Sequence, residues 1–349
     1  MTGIHGRPYT TWDGVGPAPG VDHPGYCTHL SQLFLPWHRP YLALYEVSLS
    51  LYLNERSFCS HISQQVLYSH IVAAVNEFPA GSTRDKYAQA ALSWRHPYWD
   101  WAAQPSDGGS VLPSSMSNPT VNVIMPNGST TIANPLYAYR FHPVSMDDFY
   151  YEPVSSENPR GMGCYTKADC RTQWSYWNTS LRAPNTDGVD AQSQDGAIGP
   201  ILDNSRISFR DRLYNLFTFY GNYSEFSTES YNFGGEFKNA DSLESIHDVI
   251  HGATGSGGHM TYLDYSAYDP IFWLHHMMVD RSFALWQAVY PDSYVEPNQA
   301  WQGSYTIPEK ARIDADTRKS LSCRFELKYC RSSVSLLIHH SSGSLPPQR

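Results

Sequence analysis

Charge is what this chain of 349 residues has little of: Asp, Glu, Lys and Arg make up 16% of it, where ordinary soluble domains carry about 25%. The formal balance is −9 and no Lys/Arg cluster interrupts it, which excludes nucleic acid as the main partner. No apolar run reaches membrane-spanning length, so no membrane partner is expected. Met1-Thr2-Gly3-Ile4-His5 offers neither a basic n-region nor an apolar h-region. No signal peptide is therefore visible, and an intracellular location is the expectation. Six cysteines are too sparse for a disulfide framework. Cys164 with Cys170 and Cys323 with Cys330 could pair locally, while Cys59 reads as a buried thiol. Sequons at Asn127, Asn178 and Asn222 carry little weight in a Ser/Thr-rich chain. There is no repeat of fixed period and no clear linker, so one domain is expected.

Aromatics are abundant instead: 25 Tyr, 14 Phe and 10 Trp, in a chain that is 41% hydrophobic. That is globular composition with an aromatic-packed core. Residues 1–30 read as loop. Trp37, Tyr41, Leu44, Tyr45, Leu49 and Tyr52 then recur at helical spacing, with Pro40 tolerable only near the helix start. This places His38 at the N-terminal end of a helix, close to the loop carrying His29. A second helix is expected from about Ile62 to Val75. Residues 104–210, rich in Pro, Gly, Ser and Asn, predict long loops with a few short strands, and Leu213 to Tyr220 predicts a short helix. Leu243 to His251 is a further helix, ended by Gly252, Gly255, Gly257 and Gly258. Its His247 and His251 lie four apart and share a face. Finally, Asp269-Pro270 is an N-cap followed by a first helical residue. Phe272, His276, Val279, Phe283 and Trp286 form the buried stripe of the helix that follows.

A histidine on such a stripe is either a hydrogen-bonded core imidazole or a metal ligand, with Asp280 one turn on as the acceptor that fixes its tautomer. The pattern of the others bears on the choice. His5, His29 and His38 group in the N-terminal part; His247, His251 and His276 group in the C-terminal part. Imidazole suits Zn, Cu, Fe and Ni alike. The HxxxH here lacks the Glu that follows the first His in a zinc protease helix, since position 248 is Asp.

Gly3-Ile4-His5-Gly6, Tyr26-Cys27-Thr28-His29, Pro36-Trp37-His38-Arg39-Pro40-Tyr41, Pro97-Tyr98-Trp99-Asp100-Trp101, Ser245-Ile246-His247-Asp248 with His251, and the block from Asp269 to Arg281 occur in this order. Together they resemble the tyrosinases and their type-3 copper relatives, the fungal ones especially, across roughly residues 3–290. The resemblance implies a mainly α fold: a four-helix-bundle dicopper core with long loops and a few short strands. The catalytic domain would span residues 1–316, and 317–349 would be a divergent, poorly ordered tail.

By that resemblance, His5, His29 and His38 hold one copper ion and His247, His251 and His276 the other, with dioxygen as co-substrate. His276 is preferred to His275 because it shares the stripe with Phe272 and Phe283. Cys27-Thr28-His29 is similar to a fungal sequence in which a thioether joins the cysteine sulfur to the histidine ring. His23, His61, His70, His96, His142, His259, His339 and His340 have no metal role in this reading. The implied reactions are ortho-hydroxylation of a monophenol and oxidation of a catechol to an o-quinone. Glu244 and Asp248 match positions that hold a proton-accepting water, although many monophenolases have Asn at the second. Tyr262 and Leu263 are candidate substrate-gate residues, and Asp280 and Arg281 are structural. Only four residues precede His5, where family members have a longer segment with a core-tying arginine, and no lid domain is seen. The expectation is a shortened N-terminus and an open site. Short fungal relatives of this kind serve biosynthetic pathways, some modifying tyrosine in a ribosomal peptide of the ustiloxin type, so a small phenol or a tyrosine-containing peptide is the expected substrate. The alternatives are a catechol-only or o-aminophenol oxidase, and a haemocyanin-like dioxygen-binding protein without turnover.

Overall fold

The computed structural model describes residues 1–12, 14–19, 21, 25–46, 66–141, 173–233, 241–314 and 317. The expectations placed on His23, Leu49, Tyr52, Cys59, His61, His142, Cys164, Cys170, Cys323, Cys330, His339, His340 and the tail lie outside these residues. The helices are α1 (Thr2–His5), α2 (Phe34–Glu46), α3 (Val66–Glu77), α4 (Ser82–Leu92), α5 (Ser114–Ser117), α6 (Asp195–Phe219), α7 (Tyr223–Ser227), α8 (Ser230–Phe233), α9 (Leu243–Gly255), α10 (Leu263–Ser266) and α11 (Pro270–Val289). Two antiparallel pairs complete the regular structure: β1 (Thr120–Met125) with β2 (Gly128–Ala133), and β3 (Asn298–Gln299) with β4 (Arg312–Ile313). No described helix is long and apolar enough to cross a membrane.

Four helices make the core. α2 packs on α11 and α6 on α9. Phe34, Tyr41 and Leu42 of α2, Phe209, Leu213 and Leu216 of α6, Ile246 and Ile250 of α9, and Phe272, Val279, Phe283 and Trp286 of α11 join one buried cluster. Each such side chain contributes about 1.5–3 kcal/mol on leaving water. α11 begins where its sequence says, with Asp269 Oδ1 accepting the Ile271 N–H at 3.1 Å and Pro270 in the first turn. Every member of its expected stripe is buried. α9 is capped by Ser242, whose hydroxyl accepts from the Ser245 N–H at 3.0 Å.

Three expectations need correction. α6 runs for 25 residues and not only over its last two turns. Its buried positions Ile198, Leu202, Phe209, Leu213 and Leu216 keep helical phase, but Gly196, Gly199 and Pro200 in the opening turns make that stretch read as loop. α9 does not stop at its first glycine; it continues through Gly252 to Gly255 and turns at Ser256, which is left-handed with φ 43°. Pro40 sits well inside α2, so the helix tolerates one missing backbone donor in the region of its second turn. Within the described part of 104–194 the structure is mostly loop, as its composition suggests, with the β1–β2 hairpin standing out from it.

Candidate metal centre

His5 ends the four-residue α1. That short element is held from outside: Gly6 lies so close to the Asp264 carbonyl that any Cβ would collide with it, and the Arg7 N–H donates to Asp264 O at 2.9 Å. His29 stands on the loop before α2, and His38 one turn into α2. Both ring nitrogens of His5 are buried without a hydrogen-bond partner. His38 donates from Nδ1 to Phe34 O at 2.7 Å, which leaves Nε2 unprotonated, its lone pair turned inward. Cys27, buried and free, places Sγ 3.3 Å from both His38 Nε2 and His29 Nδ1. Burial raises its thiol pKa well above the ordinary range.

The second group is set by helix geometry. His247 and His251 project from one face of α9 toward His276 on α11, and their Nε2 atoms each lie 3.2 Å from His276 Nε2. The Nδ1 protons of the two α9 histidines are committed elsewhere: His247 to Asp248 Oδ1 at 2.8 Å and His251 to Met260 O at 2.8 Å. Their Nε2 atoms are therefore lone pairs aimed at a third nitrogen. His276 Nε2 could donate to only one of them, so the contact is poorly satisfied in the absence of a cation. Two nitrogens bound tetrahedrally to one first-row ion at about 2.0–2.1 Å lie about 3.3 Å apart, which is the separation found here. Burial favours the neutral imidazole: His5, His247 and His276 fall well below their ordinary pKa, His251 is lowered, and His38 falls to about 3. Neutral imidazole is the metal-binding form. The donor set fits a metal.

The two groups face each other. The His38 and His276 rings stack at 4.6 Å and 18°, and His29 lies 5.6 Å from His247. Phe272 fills the wall beneath them, 4.8 Å from His5 and 4.2 Å from His276. Of the expected residues, the structure thus brings together His5, His29, His38, His247, His251 and His276, with Cys27 beside the first three. His275 is also within ligand range of the α9 pair, but its ring lies parallel to His247 at 5.1 Å.

A family-model match to the common central domain of tyrosinase covers residues 1–289. The chain belongs to the tyrosinase family. It is 39% identical to a tyrosinase of Podospora anserina over 91% of this chain and 49% of that protein. It is 36% identical to a tyrosinase of Neurospora crassa over 88% of this chain and 41% of that one. The chain therefore spans about half the length of these relatives. Recombinant mushroom tyrosinase superposes with a TM-score of 0.66 at 31% identity, over 90% of this chain and 49% of that structure. The family uses a dinuclear copper centre, and the two facing histidine groups are the part of this tyrosinase-like domain that suits one.

Around the centre, several expectations change. Asp280 does not reach His276. It accepts from Arg39 Nε at 2.5 Å, while Arg39 also donates to Gln287 Oε1 at 2.8 Å and lies 4.2 Å over the Phe283 ring. One helical turn separates Asp280 from His276, but its carboxylate is turned to α2; the carboxylate that accepts from a ring Nδ1 is Asp248, for His247. Arg281 lies 4.8 Å from the Tyr98 ring centre. Glu244 is fully buried, and burial lifts its pKa to about 8. Its carboxylate accepts from Leu30 N–H, Thr228 Oγ1 and Glu229 N–H at 2.7, 2.6 and 3.0 Å. The Tyr262 ring packs 5.1 Å from Trp174, in a second aromatic cluster with Trp177, Phe141 and Tyr265, and Leu263 is half-buried at the start of α10.

Arg182 went unnoticed in the sequence. It is 1% exposed and spends five N–H groups: two on Asp269, one on Asp195, and one each on the carbonyls of Met116 and Leu136. It thereby ties the long loops to the cap of α11. No motif surrounds it in the sequence, and only its burial marks it.

Proposed function

We propose that this chain is a type-3 copper oxidase of phenols, with residues 1–316 as its catalytic unit. It ortho-hydroxylates a monophenol, oxidises a catechol to an o-quinone, or does both. The observation that carries this is the pair of facing three-histidine groups, with His38 and His276 stacked at 4.6 Å. His5, His29 and His38 would hold one copper ion and His247, His251 and His276 the other. When bound, the copper pair supplies the two-electron redox chemistry with dioxygen.

The remaining work falls to side chains of this chain. Phe34, Phe272 and Tyr41 wall the site and exclude water. The Nδ1 contacts of His38, His247 and His251 fix which ring nitrogen faces the metal. Asp248, with 48% of its side chain exposed, keeps an oxygen free beyond the one bonded to His247 and would accept the phenol proton. A phenol has a pKa near 10, so that transfer needs a nearby base. Tyr262 and Leu263 would border the entry path, since they follow Met260, whose carbonyl orients His251. A thioether from Cys27 Sγ to the His29 ring carbon would replace an S–H and a C–H bond, with two protons and two electrons passing to dioxygen. The peptide containing both residues would then be lighter by one pair of hydrogens, and an unchanged mass in copper-loaded protein refutes the link.

Oxygen uptake by copper-loaded protein with a monophenol and with its catechol tests the function. Uptake with either substrate is expected. No uptake with any phenol, despite two bound coppers, would favour a dioxygen-binding protein over an oxidase. A tyrosine-containing peptide belongs in the same substrate panel.

A further inference from the structure

Glu244 occupies the helix turn before His247, yet its carboxylate reaches away from its own helix. Oε1 accepts the Leu30 N–H at 2.7 Å, and Oε2 accepts Thr228 Oγ1 and the Glu229 N–H. Three donors thus engage the two oxygens of a fully buried group. The contact that matters is the one to Leu30, the residue after His29. Leu30 has φ 47°, a left-handed backbone that costs a residue with a side chain about 1 kcal/mol or more. It persists only if its neighbours impose it.

Two long-range grips do so. The N–H of Leu30 is held by Glu244 from α9, and its carbonyl accepts the Trp301 N–H at 3.0 Å from the segment between β3 and β4. The same segment donates Tyr305 N–H to Gly25 O at 2.7 Å, and the Tyr305 ring meets Tyr26 at 4.9 Å. The segment lies beyond residue 289, where the family-model match ends. The loop 25–30 is therefore pinned at both ends, while α2 fixes everything after it. A change of backbone at Leu30 would swing His29 and Cys27, and little else.

We infer that Glu244 is a positioning residue: it holds Leu30 left-handed and so aims His29 at the first histidine group. The α9 histidines do not depend on this carboxylate for their own tautomers, because Asp248 and Met260 fix those. The carboxylate of one histidine group's helix thus organises a ligand of the other. The inference rests on the copper reading, and its test separates the two.

The test uses wild type, Glu244→Ala, Glu244→Gln and the double variant Leu30→Gly/Glu244→Ala. Copper per chain and the paramagnetic resonance of the cupric state are measured after loading. Wild type should hold two coppers as a coupled pair with little signal. E244A should weaken binding at the His5/His29/His38 group about 10–100-fold, the usual effect of losing a partner that orients a ligand. It should then show one copper with the signal of a lone cupric ion. E244Q keeps an oxygen for Leu30 but sets an amide N–H₂ against a neighbouring donor, and should fall between. Glycine is at ease left-handed, so the double variant should recover part of the lost copper. A merely destabilised α9 would not respond to a change at position 30. Full occupancy in E244A, or loss of the His247/His251/His276 copper instead, overturns the inference. Hydrogen exchange in copper-free protein gives an independent reading: the Leu30 amide should be protected in wild type and fast in E244A. Equal exchange rates overturn the inference even if wild type proves unable to bind copper, a result that would sink the copper reading by itself.

Discussion

Arg182→Met should be among the most damaging single substitutions outside the histidines. The guanidinium is 1% exposed, and it meets a 1%-exposed Asp269 through two hydrogen bonds of 2.8 and 2.6 Å. Removing it leaves that carboxylate buried without its counter-ion and orphans the carbonyls of Met116 and Leu136. Breaking a buried pair from one side costs about 3–5 kcal/mol, most of it the penalty of the abandoned charge. With a urea slope of about 3 kcal/mol per M, the unfolding midpoint should fall by about 1–1.7 M. Copper-free protein is the sample for this assay, so that metal binding does not mask the loss. The double variant Arg182→Met/Asp269→Asn decides the cause. Asparagine caps a helix about as well as aspartate, so α11 keeps its first turn while the orphan charge disappears. It should recover roughly half of the loss. If R182M costs less than about 1 kcal/mol, or if the double variant is worse than the single, the reasoning about an orphaned buried charge is wrong.

Other residues give sharper readings of role. His276→Ala should cost one copper per chain, whereas His275→Gln should keep both, as metal analysis of the two variants will show; the reverse pattern would mean that the helix phase was assigned wrongly. Asp280→Ala should lower stability by about 1 kcal/mol through the loss of Arg39 while leaving copper affinity unchanged. A drop in copper affinity of about 10–100-fold would instead place Asp280 behind His276. His259, fully buried among Trp174, Trp177 and Phe141, has its pKa depressed to about 4 by burial. A histidine in the unfolded chain has a pKa of about 6.5 and so binds the proton more readily. The neutral ring favours the folded state fully above the unfolded pKa, and this contribution is lost as pH falls from there toward the folded value. About 3 kcal/mol is at stake. The stability gap between wild type and His259→Gln should close by that order between neutral pH and a pH of about 4, and a gap independent of pH would contradict the assignment.

The C-terminal histidine group was legible because it rests on local rules. Asp269-Pro270 starts α11, the stripe through Phe272 and Phe283 picks His276, and the four-residue spacing of His247 and His251 puts them on one face of α9. Ordered motifs did the rest for His5, His29 and His38, which no periodicity could have joined. What was hidden depends on the far side of each residue. Asp280 lies at a spacing that would suit His276, but a partner on another helix, Arg39, captures it. Glu244 was singled out by the resemblance, but nothing local shows that its carboxylate reaches across to the Leu30 amide. Arg182 sits in a stretch whose composition says only loop, and its five partners are spread from Met116 to Asp269. The first half of α6 was concealed by Gly199 and Pro200, although its buried residues keep phase.

Copper content of purified, copper-loaded protein tests the central claim most directly. Two coppers per chain, one for each facing histidine group, is the predicted result. One copper or none in folded protein given ample metal would contradict it.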